Sequence, residues 1–129
     1  MAKPKVNEIL AKLIGEVPQF IAADCADLET GSSVSEGTSI DRNLDPTMAS
    51  GSYSEVLQAN ARALDFLGVG SDAFEDIVVT ARDAFILVRP LGARHFVSLV
   101  LTRRGNLSLA RAALAKYESA LLEALSEGD

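Results

Sequence analysis

Three strand-length apolar runs, parted by only two or three turn residues, constrain this chain more than any other feature. They are FEDIVVTA (Phe74 to Ala81), AFILVRPL (Ala84 to Leu91) and HFVSLVLT (His95 to Thr102). Each is rich in Val, Ile and Phe and suits a pleated, half-buried surface. The links Arg82-Asp83 and Gly92-Ala93-Arg94 are too short to hold a crossover helix, so neighbouring runs must be antiparallel. A three-stranded meander follows. In its last strand Val97, Leu99 and Leu101 share one face, while Phe96, Val100 and Thr102 share the other. Both faces are largely apolar, which predicts a central strand covered on both sides.

At 129 residues the chain is expected to form a single domain over residues 1 to 129, burying roughly two-thirds of its unfolded surface. It is 48% hydrophobic with a mean hydropathy of +0.18, too apolar for a disordered chain. A net charge of −6 and a pI near 4.7 argue against a general nucleic-acid binder, which needs a basic face. No apolar stretch approaches the ~18 residues of a membrane span, so no membrane insertion is expected. The start, MAKPKVNEIL, lacks the apolar core and cleavage site of a secretory signal. Cys25 is the one cysteine and has no partner for an internal disulfide, which fits a reducing cytoplasm.

Upstream of the meander, Val6, Ile9, Leu10, Leu13, Ile14 and Val17 recur at helical spacing, predicting a first helix over residues 5 to 15 between Pro4 and Gly15. Pro18 leads into a strand, FIAADCADL, with Ile21, Ala23 and Cys25 on one face and Phe20, Ala22, Asp24 and Ala26 on the other. Glu29-Thr30-Gly31 reads as a hairpin turn in which Gly31 takes positive φ. The return strand, SSVSEGTSI, is polar and contains glycine, as edge strands often are.

After the irregular DRNLDPTMAS segment, Asp45-Pro46 opens a second helix, from about Pro46 to Leu67. Tyr53, Val56, Leu57, Asn60, Leu64 and Leu67 form its main stripe, widened by Ala59, Ala63 and Phe66. Glu55, Gln58, Arg62 and Asp65 fill the polar sector. An apolar arc of about 180° exceeds the ~100° that covers one sheet face, so the excess calls for burial against something else. Asn60 lies inside that stripe and needs a partner. Either it bonds nearby backbone, or it sets register in a helix–helix interface. A last helix, capped by Asn106 or Ser108 and running to about Leu125, carries Leu107, Ala110, Leu114, Tyr117, Leu121 and Leu125 on one face. The final Ser126-Glu-Gly-Asp129 is expected to fray.

The order is helix, two strands, helix, three strands, helix. With Asp27-Leu-Glu-Thr-Gly31, Leu64-Asp-Phe-Leu-Gly68 and Leu91-Gly92 at their places in it, the chain resembles the roadblock family. That family includes the roadblock-type dynein light chains, lysosomal scaffold subunits and bacterial polarity regulators. The resemblance spans nearly the whole chain and rests on the ordered pattern. It implies an α+β, profilin-like fold: a five-stranded antiparallel sheet with helices 1 and 3 on one face and helix 2 on the other. It also implies homodimerisation through helix 2 and the third strand. The interface would then hold Tyr53, Val56, Leu57, Asn60, Leu64 and Leu67 together with Ile77 and Val79. The family often presents this platform to a Ras-like small GTPase, which would place Glu55, Gln58 and Arg62 near such a partner.

Catalytic chemistry has little to stand on. His95 is the one histidine and sits at a strand end beside the Gly92 turn, so neither a histidine pair nor a His-rich metal cluster can form from one chain. Cys25 lies in an apolar strand, where burial makes a thiol inert. Asp24, Asp27 and Glu29 crowd one turn without the spaced ligands of a calcium loop. Arg82, Arg89, Arg94, Arg103 and Arg104 fall near strand ends, where solvated charges are the default and an acidic partner or phosphate the alternative. The expectation is a non-enzymatic homodimeric interaction module that regulates or scaffolds a small GTPase, with no cofactor or metal. The alternative is a small-ligand sensor domain with a pocket between sheet and helix.

Overall fold

A computed structural model of the protein describes residues 2–70 and 74–127. In chain order it contains α1 (Pro4–Ile14), β1 (Phe20–Asp27), β2 (Thr38–Ser39), a 3-10 turn (Pro46–Ala49), α2 (Ser50–Phe66), β3 (Ile77–Thr80), β4 (Ala84–Leu91), β5 (His95–Thr102) and α3 (Leu107–Ser126). The expected fraying end includes Gly128 and Asp129, which lie outside the described residues. The strands form one antiparallel sheet in the order β2-β1-β5-β4-β3. The meander is therefore present, and β5 is central as its two apolar faces require.

Each face of β5 roots a separate core. Val97, Leu99 and Leu101 join Cys25 and Leu87 beneath Val6, Leu10 and Leu13 of α1 and Ala110, Leu114 and Leu121 of α3. Phe96 joins Ala26 and Val88 on the opposite face, beneath Leu57 of α2. The helix ends follow local chemistry. Pro4 opens α1, and the Asn106 side chain accepts a bond from the Leu109 N–H at 3.1 Å to cap α3. Asp45 accepts from the Thr47 N–H at 3.0 Å, closing the 3-10 turn that takes the place of the first turn expected of the second helix.

Two expectations need correction. The return strand is far shorter than SSVSEGTSI: only Thr38 and Ser39 pair as a strand, with an isolated bridge from Ser33 to Ala26. Between them Ser35 turns inward, and its Oγ accepts the Cys25 N–H at 3.0 Å where a ladder carbonyl would otherwise stand. Gly37, at φ 74°, carries the chain back out. The edge position itself is as expected. Phe20 also changes sides. A bulge between Phe20 and Ala22 inserts one residue, so Phe20 pairs with Leu101 and packs toward α1 and α3 instead of sharing a face with Asp24.

Candidate interaction surface

The side of α2 that meets the sheet begins with serines. Ser50 and Ser54 are buried with Leu57, while Tyr53, Asn60, Ala61 and Leu64 are half-buried. Those serines have acceptors waiting for them. Asp24, wholly buried on β1, accepts from Ser33 Oγ at 2.6 Å, from Ser35 Oγ at 2.7 Å, and from Ser50 Oγ. Ser54 Oγ donates to the Leu28 carbonyl, which also accepts from Gln58 Nε2 at 2.9 Å. A buried carboxylate without enough donors would be costly. Here hydroxyls from the β1–β2 connection and from the first residue of α2 supply them.

The opposite side of α2 is apolar and uncovered. Val56, Ala59, Ala63 and Phe66 recur at steps of three and four, with Leu67 just beyond the helix end. Val56 is 42% exposed, Phe66 90% and Leu67 75%. Single exposed apolar residues are ordinary, but a continuous helical stripe of them is an interaction signature. A second open feature lies at the end of the sheet. β3 pairs only with β4 and ends the sheet, and its sequence, Ile77-Val78-Val79-Thr80, has none of the lysines or prolines that usually blunt an edge. Ile77 is half-buried in the cluster that holds Tyr53 and Leu57, and Val79 is 38% exposed.

The residues expected on the seam thus divide. Val56, Leu67 and Val79 are exposed; Tyr53, Asn60, Leu64 and Ile77 are half-buried at its border; Leu57, 4% exposed, belongs to the chain's own core. No bond to another described residue occupies the Asn60 amide. On the polar sector Glu55 and Arg62 are exposed, whereas Gln58 is engaged with Leu28 and with Ser54 Oγ at 3.1 Å. Sequence reasoning missed Ser50 and Ser54 as sheet-facing residues. Their one signal was a pair of hydroxyls four residues apart, on the helix that follows a strand bearing an inward aspartate.

The titratable groups are placed for structure. Burial, reinforced by neighbouring Asp24, pushes the Cys25 thiol up to about 12. His95 pairs with Asp27 across β1 and β5; burial lowers its pKa, against the opposing pull of Asp27. The N–H of Thr30 holds the Asp27 carboxyl below its usual range, helped by that of Glu29. Asp27 Oδ1 accepts from both at 2.9 Å and closes the turn at Gly31. Asp24 and Asp27 are therefore each committed to local hydroxyl or backbone donors. Beside this turn lies a hollow of about 220 Å³, lined by Leu28, Glu29, Gln58 and Arg94.

A five-stranded antiparallel sheet with α1 and α3 on one face and α2 on the other is the roadblock fold, as the sequence pattern predicts. Solved structures agree. The chain is similar to Myxococcus xanthus MglB, at 16% identity over 95% of both chains with a TM-score of 0.83. It is likewise similar to a Roadblock/LC7 domain from Streptomyces avermitilis, at 14% identity over 94% of this chain and 98% of that one, TM-score 0.80. A third likeness is to an MglB with a tetrameric arrangement, at 15% identity over 93% of this chain and 87% of that one, TM-score 0.81. No protein-family model matches the sequence, and no curated protein matches it. At such identities the likeness is one of fold.

Proposed function

We propose that the protein is a non-catalytic, cytoplasmic homodimeric module that regulates or scaffolds a Ras-like small GTPase. One observation carries this reading: the uncovered apolar face of α2 and the open, uncharged edge at β3 both border the cluster that Tyr53 and Ile77 share. A two-fold axis beside β3 would satisfy both at once. It would pair β3 with its copy into one continuous sheet and set the two α2 helices together along Val56, Ala59, Ala63, Phe66 and Leu67. Tyr53, Asn60, Leu64, Ile77 and Val79 would border the seam, and Leu57 would support it from below. An unengaged Asn60 amide is suited to meet its counterpart and fix the register. The raised thiol pKa of Cys25 keeps it protonated and fits a protein without a nucleophile.

The GTPase comes from the resemblance to roadblock proteins, which present such a platform to Ras-like partners. Exposed Glu55 and Arg62, with the outward part of Gln58, would flank it. Sedimentation velocity over a wide concentration range tests the dimer, and a concentration-independent monomer would sink it. Capture of small GTPases from the same genome, loaded with GDP or a non-hydrolysable GTP analogue, tests the partner. Arg62→Glu should weaken that capture while leaving the dimer whole. A purified monomer carrying a bound metabolite would instead favour the sensor alternative.

A further inference from the structure

We propose that the end of the sheet where α1 enters β1 and β5 leaves for α3 binds a phosphomonoester through Arg82, Arg103 and Arg104. These residues line a hollow of about 300 Å³ together with Gln19, Thr102 and Asp83. The chain has 12 basic against 18 acidic residues, so three arginines facing one aspartate run against its overall balance. Two other arginines are neutralised: Arg89 pairs with Glu118 at 3.1 Å and Arg111 with Asp76 at 2.9 Å. Among the described residues no carboxylate lies within ion-pair reach of Arg82, Arg103 or Arg104.

The donors are also positioned. Arg103 Nη1 donates to the Ala81 carbonyl at 2.8 Å, and its guanidinium lies 4.8 Å over the Phe85 ring, which fixes the plane of its remaining N–H groups. Gln19 adopts φ 65°, a left-handed conformation that a non-glycine residue keeps only when its surroundings enforce it. Two bonds do so. The Gln19 carbonyl accepts the Thr102 N–H at 3.0 Å, and Gln19 Oε1 accepts from Thr102 Oγ1 at 2.7 Å. The amide Nε2 is then left to donate. Thr102 Oγ1 in turn accepts the Arg104 N–H at 3.2 Å, linking the strained turn to the arginine pair.

Donors thus converge from three separate turns, a geometry for a compact anion with several oxygens. Three positive charges and one negative leave a surplus of two, which matches a phosphomonoester of about −1.5 to −2. A flat anionic bilayer would meet Asp83 as well and leave the hollow unfilled.

The test is an NMR titration of the full chain with inorganic phosphate, O-phosphoserine and serine, at ionic strength held constant with chloride. We expect saturable shifts of the Gln19 side-chain amide and of the Arg103 and Arg104 N–H groups with both phosphates, and none with serine. Arg82→Gln and Arg104→Gln, both at exposed turns, should each weaken binding roughly tenfold. Tighter binding of phosphoserine supports a phosphorylated side chain as the ligand, and tighter binding of inorganic phosphate overturns the assignment to a monoester. Shifts that fail to saturate, or affinities unchanged in both variants, overturn the proposal. So does binding to phosphatidic acid vesicles when both soluble phosphates fail.

Discussion

The backbones of Gly31 and Gly51 touch: a Cβ on Gly31 would stand 2.7 Å from the Gly51 Cα, whereas a Cβ on Gly51 would meet nothing within 4 Å. The contact is one-sided, and so is its consequence. Gly31 also holds φ 75°, so Gly31→Ala meets both strain and a clash and should cost roughly 2 kcal/mol or more. Gly51→Ala, in the first turn of α2, should be neutral or stabilise by up to about 1 kcal/mol. Urea unfolding of the two variants measures the difference, and equal midpoints would contradict this account of the turn.

The proposed seam separates residues that the sequence groups together. Phe66→Asp and Val56→Asp, on the uncovered side of α2, should weaken self-association by about thirtyfold or more each while leaving the monomer folded. Leu57→Asp is expected to act otherwise, because it buries an unpaired charge beneath α2 and should lower stability by several kcal/mol. Sedimentation together with circular dichroism distinguishes the two outcomes. Folded aspartate variants at positions 56 and 66 that remain dimeric would move the seam to another face.

Replacing Asp24 by Ala takes the acceptor from the buried hydroxyls of Ser35 and Ser50 and from the half-buried one of Ser33. At about 1–3 kcal/mol for each buried polar group left unmatched, Asp24→Ala should cost roughly 3 kcal/mol or more. Ser50→Ala removes a single donor and should cost less. Chemical denaturation gives both values, and an Asp24→Ala variant as stable as the parent would contradict the network.

Cys25 makes stability depend on alkaline pH. Its folded pKa of about 12 lies above the ~8.5 of an exposed thiol, so the folded state holds this proton more tightly than the unfolded chain. The contribution is complete below the unfolded value and falls by up to roughly 1.4 kcal/mol per pH unit as pH rises toward the folded one. Comparing unfolding midpoints at pH 8 and pH 10.5 for the parent and Cys25→Ala isolates the effect from other alkaline titrations. The parent should lose more stability than the variant. In the folded protein the same thiol should resist iodoacetamide at pH 8.5.

The meander and three helices are legible because Val97, Leu99 and Leu101 alternate with Phe96 at period two, while Ala110, Leu114 and Leu121 recur at helical spacing; the split of the helices across the sheet came from the resemblance to roadblock proteins. What escaped reading has a common cause. Periodicity registers apolar faces, but Ser50 and Ser54 face the sheet through hydroxyls whose acceptors come from distant Asp24 and Leu28. For the same reason Ser35 could interrupt the return strand unnoticed. Within α2 an arc of apolar residues cannot say which half meets the sheet, so Leu57 and Val56 looked alike. The bulge that moves Phe20 leaves no mark in composition.

The polar fastening of α2 also gives the helix two ends of unequal strength. Ser50 pins its first residue to Asp24 of β1, and Ser54 and Gln58 pin the next two turns to Leu28 just beyond that strand, while the last turn ends on exposed Phe66 and Leu67. Amide hydrogen exchange in the isolated chain should therefore slow toward Ser54 and quicken toward Phe66. Whatever covers Phe66 would clamp the quick end, making the protection of those late amides a gauge of occupancy.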